Sequence, residues 1–286
     1  MDSPSANPAF APVLDAQPAA STPSQRRSHR GWVRETVLVI VFYYVYQTIR
    51  SLADRGVTNR AYSNARHLVD WEKTLRIFHE QAIQEALLAS HWLIKLMNIV
   101  YGTLHFFITA GLLVWLYRRR RHAYRHMRNL LGFTTFLALI GYYAFPLAPP
   151  RLYKCNNDIP VPAPDGYAIG KCFVDTLDTV GGLWSYHSPV AKAVANQYAA
   201  MPSLHFAWSL WCCVVLVRYG THRWTRLAGV AYPLLTLSAI VITGNHYFLD
   251  AIGGALTFGA AIGLLSWRER RLRRRLANRP EPAPAI

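Results

Sequence analysis

Residues 199 to 208 read AAMPSLHFAW. A polar loop passes through Pro202, Ser203, Leu204 and His205 into an apolar run that continues to Val217. Farther on, residues 243 to 254, TGNHYFLDAIGG, repeat the arrangement. His246 opens a second apolar run and Asp250 follows four positions later, one helical turn inside it. Singly, a histidine at a helix mouth is more often a satisfied polar residue, and His-x-x-x-Asp arises often by chance. A membrane segment makes the carboxylate costly, so that it calls for a partner, and His246 lies on the same helical face.

Working outward, six runs approach the roughly 20 apolar residues that cross a hydrocarbon core. They are Trp32–Ile49, Trp92–Tyr117, Asn129–Phe145, the short Ser203–Val217, Leu227–Ile242 and His246–Trp267. Lipid offers unpaired backbone groups no partner, so the runs are expected to be helices. The expected fold is an all-α, polytopic membrane protein: a six-transmembrane-helix bundle with an amphipathic interfacial helix. Its expected divisions are a disordered, Pro-, Ala- and Ser-rich tail over 1–30, a catalytic membrane domain over 31–267, and a basic, Pro-rich tail over 268–286.

Composition agrees with this division. Hydrophobic residues make up 52% and charged residues 16% of the 286, the latter below the soluble average of about 25%. Lys and Arg number 31 against 15 acidic residues, a net charge of +16. So basic a chain invites a nucleic-acid reading, but its charges stand in short blocks between apolar runs and not on one face of a soluble fold. No nucleic-acid partner is expected. The blocks also orient the bundle. Arg26 to Arg34, residues 117–128 (YRRRRHAYRHMR), Arg218 to Arg226 and Arg268 to Arg275 recur at every second connection, whereas the long 148–202 loop holds only Arg151, Lys154, Lys171 and Lys192. The preference of Arg and Lys for the cytoplasmic side puts both termini inside, and the 50–91 segment, the 148–202 loop and the Gly244 turn outside.

In the 50–91 segment, Leu68, Trp71, Leu75, Phe78 and Ile83 recur at near-helical spacing. The stripe fits an amphipathic helix lying on the outer interface, or equally an ordinary helix packed on the bundle. Cys155 and Cys172 share the outside loop, where an oxidising compartment could join them as a staple or leave two thiols. Cys212 and Cys213 lie inside the fourth run and read as small core residues.

This topology delivers Arg151, His205 and the His246–Asp250 pair to one membrane face. Pro202 suits a helix start, and Ser203 with the first amides of the fourth run makes an anion site that Arg151 can complete. A phosphate is the natural occupant. His246, oriented by Asp250, can attack phosphorus, and His205 can protonate a leaving alkoxide and later deprotonate an incoming hydroxyl. Tyr101 and His105, one turn apart in the second run, either line the substrate pocket or pack between helices. No cofactor and no metal are expected, although His205, His246 and Asp250 together could also be written as a metal-binding triad. A proton-coupled transporter would account for His246 and Asp250 but not for Pro-Ser-Leu-His and Arg151.

At these residues the chain resembles the type 2 phosphatidic acid phosphatase superfamily, whose motifs are Lys-x6-Arg-Pro, Pro-Ser-Gly-His and Ser-Arg-x5-His-x3-Asp. PSLH matches the second with Leu204 for Gly, and HYFLD matches the end of the third. The resemblance is closer to the branch containing inositol phosphorylceramide synthases, where PSLH and T-x-x-H-Y-x-x-D occur, and it covers roughly residues 90–267. The resemblance implies His246 as the nucleophile, Asp250 as its orienter, His205 as acid and base, and Arg151, Ser203 and Leu204 at the phosphate. The partners it implies are a lipid phosphate in the bilayer and, for a transferase, a polyol or sugar acceptor. Two cations of the pattern are missing: Ala144 stands for the Lys and Ile240 for the Arg. Lys154, Lys171, Lys192 or Asn245 are the candidates to compensate. Oligomeric state is not legible.

Overall fold

The computed structural model describes residues 57–156, 159–160, 172–183 and 197–277, together with Val37, Tyr44 and Thr48, which are helical. The expected N-terminal tail, most of the first apolar run, Lys171, Lys192 and the end of the C-terminal tail lie outside the described residues. The chain divides into two units, Met1–Val45 and Tyr46–Ile286. The fold below belongs to the second.

The described chain is all-helical except for one two-residue antiparallel pair, β1 (Cys155–Asn156) with β2 (Ile159–Pro160). The helices are α1 (Thr58–Thr74), α2 (Glu80–Leu87), α3 (His91–Arg119), α4 (Arg121–Ala144), the single turn α5 (Thr176–Thr179), α6 (Leu204–Tyr219), α7 (Arg223–Ile242) and α8 (Phe248–Ala277). Among the described residues α3, α7 and the Phe248–Leu272 part of α8 are long and apolar enough to cross a membrane. α6 is apolar but has 16 residues, about 24 Å at 1.5 Å per residue. α4 has 24 residues, but Arg121, Arg125 and Arg128 fill its first two turns.

Large apolar side chains on these helices face outward. Phe107, Leu234 and Leu256 are each more than half exposed, as expected of surfaces that meet lipid tails. Inward, Trp211, Cys212 and Val215 of α6 pack with Leu116 of α3, Met127 and Leu130 of α4, Tyr232 of α7 and Phe258 of α8. Hydrocarbon is as apolar as leucine, so burial alone drives little association here; close packing and hydrogen bonds between helices hold them. Trp211 donates its indole N–H to the Met127 carbonyl at 2.8 Å, and Trp208 donates to Thr135 Oγ1 at 3.0 Å.

The 50–91 segment differs from its expected single stripe. α1 ends where Arg76 takes a left-handed φ of 59°. There the Ile77 amide reaches back to the Glu72 carbonyl at 2.9 Å, a left-handed helix stop. The buried face of α1 is Ala61, Tyr62, Ala65, Leu68, Val69 and Glu72, whereas Trp71 and Leu75 point away from the core. Phe78 and Ile83 belong beyond the break. The stripe thus mixed a packed face with an outward one. α1 packs its face on Leu147, Ala148, Tyr153 and Tyr247. Nor is Trp267 a structural boundary, because α8 continues through the basic residues to Ala277.

Polar side chains tie down the described part of the 148–202 loop. Gln84 of α2 donates to the carbonyls of Val174 and Ile242 and accepts from the Val174 amide. Asn98 of α3 donates to Thr176 and Gly181 and accepts from Thr176 Oγ1. Cys172 is disulfide-bonded; the side chain of Cys155 lies outside the described residues. Cys212 and Cys213 are free.

Candidate active site

The site is built at the junction of α6 and α8. Ser203 caps α6, its Oγ accepting the Phe206 amide at 3.3 Å. Its own amide donates to the Asp250 carbonyl at 2.9 Å. That bond fastens the mouth of one helix to the first turn of the other. Of the expected anion site, the Ser203 amide is engaged within the protein, whereas its hydroxyl accepts the Phe206 amide and keeps its O–H to donate. Leu204 packs its side chain on Ala138, Leu139 and Tyr142 of α4, so only its backbone can face a ligand.

The approach of the two helices requires glycine. A Cβ on Gly254 would stand 2.4 Å from the Ser203 carbonyl oxygen, and one on Gly141 would stand 2.5 Å from Pro202 Cδ. Pro202 is wedged between α4 and α8, and His205 follows one turn later.

His246 sits in the turn between α7 and α8. The Ile240 carbonyl accepts both the Asn245 amide at 3.0 Å and the His246 amide at 3.2 Å. Gly244 makes the reversal with φ 66°, and its carbonyl accepts the Arg151 amide at 2.8 Å. The 3-10 turn Pro150–Leu152 is thereby pinned to the His246 turn, while Arg151 Nε is buried without a hydrogen-bond partner. Asn245 turns its amide onto Thr243, at 2.8 Å from the hydroxyl.

His246 Nδ1 lies 3.3 Å from Asp250 Oδ2, and that oxygen also accepts the Tyr247 amide at 2.9 Å. Asp250 is fully buried and His246 is 4% exposed. An ionised carboxylate at this place accepts from Nδ1–H, the tautomer that leaves Nε2 its lone pair. The His205 and His246 rings are 5.8 Å apart. Tyr101 stacks on His205 at 4.2 Å and meets His246 edge-on at 6.5 Å. His205 bonds the Tyr101 backbone and its Nε2 has no partner. His105 is 4.9 Å from His205 and bonds the Tyr232 hydroxyl through Nδ1 at 2.9 Å. Tyr101 lies in a π turn, Val100–Leu104, directly before His105. Such turns re-aim side chains within a helix.

Ser203, His205, His246 and Asp250 therefore converge, with the Arg151 backbone pinned to the His246 turn and Tyr101 and His105 beside the histidines. Position 240 is apolar in space as well as in sequence: Ile240 packs with Val241 and Ala251. At position 144 the guanidinium of Arg60, from α1, hydrogen-bonds the Ala144 carbonyl.

Sequence reasoning overlooked Arg60, Tyr232, Glu72 and Glu80. Glu72 and Glu80 are fully buried and hydrogen-bond the first amides of α8. The available signal was positional. Glu72 continues the face of Ala65, Leu68 and Val69, where a charged side chain needs a reason.

Comparison with known families matches residues 66–264 to the PAP2 superfamily, and the chain belongs to that superfamily. Membership points to chemistry on phosphoric esters, by hydrolysis or transfer. No curated protein and no solved structure matches the chain.

Proposed function

We propose that the protein is an integral-membrane enzyme that cleaves or transfers a lipid phosphate ester through a phosphohistidine at His246. The observation that carries this reading is the His246–Asp250 pair facing His205 across 5.8 Å. One phosphoryl group would place an attacking nitrogen and a leaving oxygen within about 3 Å of the two rings.

In the first step His246 Nε2 attacks phosphorus and the bond to the ester oxygen breaks. His205 gives that oxygen its proton, and Asp250 stabilises the imidazolium that forms. In the second step His205 removes a proton from the acceptor, whose oxygen attacks phosphorus and releases His246. Water as acceptor yields a phosphatase; a polyol or sugar hydroxyl yields a transferase of the inositol phosphorylceramide synthase type. Arg151 holds the phosphoryl oxygens, with amides at the mouth of α6. Arg60, beside position 144, is a candidate second cation. The reaction as written uses no metal or cofactor.

The bundle in this reading has six spans, and the site opens to the outer leaflet. A head group at the interface then brings its phosphate level with the helix mouths while its chains stay in lipid. The test is turnover of labelled lipid phosphate by purified protein in chelator, counting released phosphate against lipid-linked product. Acid-labile, base-stable label on His246 supports the mechanism; turnover without any dependence on His246 overturns it.

A further inference from the structure

His205 lacks what His246 has. Asp250 lies 3.3 Å from His246 Nδ1, whereas among the described residues no carboxylate pairs with His205. A histidine ring turns easily about its last side-chain bond. A group that gives and takes a proton has to be held toward the oxygen concerned. The rings that border His205 come from one stretch of α3. Tyr101 is stacked on it at 4.2 Å with 22° between the planes, His105 is 4.9 Å away at a tilt of 40°, and Phe106 meets it edge-on at 5.7 Å. A π turn, Val100–Leu104, presents them: the His105 amide bonds the Val100 carbonyl, one residue farther back than in an α turn. Two of these rings are themselves anchored. Tyr101 packs against Ile240 and Val241 of α7 and Ala251 of α8. His105 is buried, meets the Tyr232 hydroxyl through Nδ1 at 2.9 Å and lies near-parallel to Trp208 at 5.9 Å. Tyr101 also stands edge-on to His246 at 6.5 Å, so one ring borders both histidines.

We propose that Tyr101 and His105 are positioning residues for His205: the π turn of α3 clasps the imidazole and aims its Nε2 at the ester oxygen, and Tyr232 locks His105 in place. The inference rests on the phosphohistidine reading above, in which His205 is the acid and base. His205 Nε2 is buried without a hydrogen-bond partner, so it is open to that oxygen. The face of a tyrosine ring also suits the imidazolium that His205 becomes on taking the acceptor's proton. Tyr101 and His105 act here through His205 and not on the phosphate. Their loss should therefore tell on proton transfer to the leaving oxygen, whereas a pocket role would tell on substrate affinity.

The test compares leaving groups with the full-length protein in detergent. An alkoxide needs a proton as it leaves, whereas a nitrophenolate leaves without one. The probes are dioctanoyl phosphatidic acid and p-nitrophenyl phosphate. Rapid quench follows the first turnover only, so that breakdown of the phosphoenzyme does not enter. Tyr101→Leu is expected to slow the first turnover of phosphatidic acid by about 10- to 100-fold, with the half-saturating concentration within about threefold, and to keep the nitrophenolate burst within about threefold. Tyr101→Phe retains the stacked ring and should keep the ratio of the two rates close to that of wild type. Tyr232→Phe, which releases His105, should shift the ratio in the same direction by about three- to tenfold. Equal losses with both probes in Tyr101→Leu, or the same selectivity in Tyr101→Phe, overturn the role of the Tyr101 ring. An unshifted ratio in Tyr232→Phe overturns the role of His105.

A second readout needs no turnover. In protein isotope-labelled at histidine Cε1, the magnetic resonance signal of His205, identified by its loss in His205→Gln, should be displaced by the ring current of Tyr101. Tyr101→Leu should abolish that displacement and Tyr101→Phe should keep it. A His205 signal that does not move in Tyr101→Leu overturns the clasp. Wild-type turnover in His246→Ala would instead sink the phosphohistidine reading, and the ring-current comparison would still decide whether Tyr101 holds His205.

Discussion

Asp250 divides one carboxylate oxygen between the Tyr247 amide and His246 Nδ1, and its other oxygen is buried without a partner. An amide in its place can still accept one bond but cannot stabilise an imidazolium. Asp250→Asn is expected to leave the fold intact and cut turnover by about four orders of magnitude, by analogy with the orienting aspartate of hydrolytic triads; a loss below about tenfold would leave Asp250 a structural role only. His246→Ala should abolish turnover and phosphoenzyme together. His205→Ala should separate them, because loss of the acid slows formation of the phosphoenzyme while loss of the base for the acceptor blocks its release. Rapid-quench labelling with lipid phosphate checks both: label should persist on the His205 variant and be absent from the His246 variant. The residues legible in sequence were those at helix mouths, where a polar side chain interrupts an apolar run. Glu72 and Glu80 were not, because their partners are backbone amides 177 and 168 positions away. Sequence spacing carries no sign of such a pairing.

At the scale of elements, the mouth of α6 and the first turn of α8 work as one piece, joined by the Ser203 amide on the Asp250 carbonyl. Gly254 allows it, since even a methyl group would meet the Ser203 carbonyl at 2.4 Å. Gly254→Ala is expected to push the helices apart and destabilise the protein by about 1–3 kcal/mol. The readout is a lower melting temperature in detergent together with reduced kcat. Gly259→Ala, where a Cβ meets nothing within 4 Å, is the control and should change neither. Helix existence was readable from apolar runs, and the ends of α6 and α7 fall close to the run boundaries. The break at Arg76 was not readable, since arginine has no preference for the left-handed conformation that stops α1. The π turn before His105 carries no sequence mark either.

For the whole molecule, the alternation of basic connections predicts that the site faces away from the cytoplasm. Single cysteines placed at Asn156 and Pro164 should react with an impermeant thiol reagent in intact cells or right-side-out vesicles. One at Tyr124 should react only after permeabilisation; the opposite pattern inverts the enzyme and the leaflet from which its substrate enters. Sequence by itself determined the helical class and the superfamily, because lipid forces backbone bonds inside each segment and makes His246 and Asp250 conspicuous. With six expected spans, their parity also predicts Arg151, His205 and His246 at one end of the bundle. Tertiary structure alone decided what those residues touch. It assigned the Ser203 amide to Asp250 and the Arg151 amide to Gly244, laid Tyr101 on His205, and set glutamates of α1 and α2 against the first amides of α8. Side-chain periodicity reports which face of a helix is apolar; which distant backbone group that face meets depends on how the helices pack, and no local pattern encodes it.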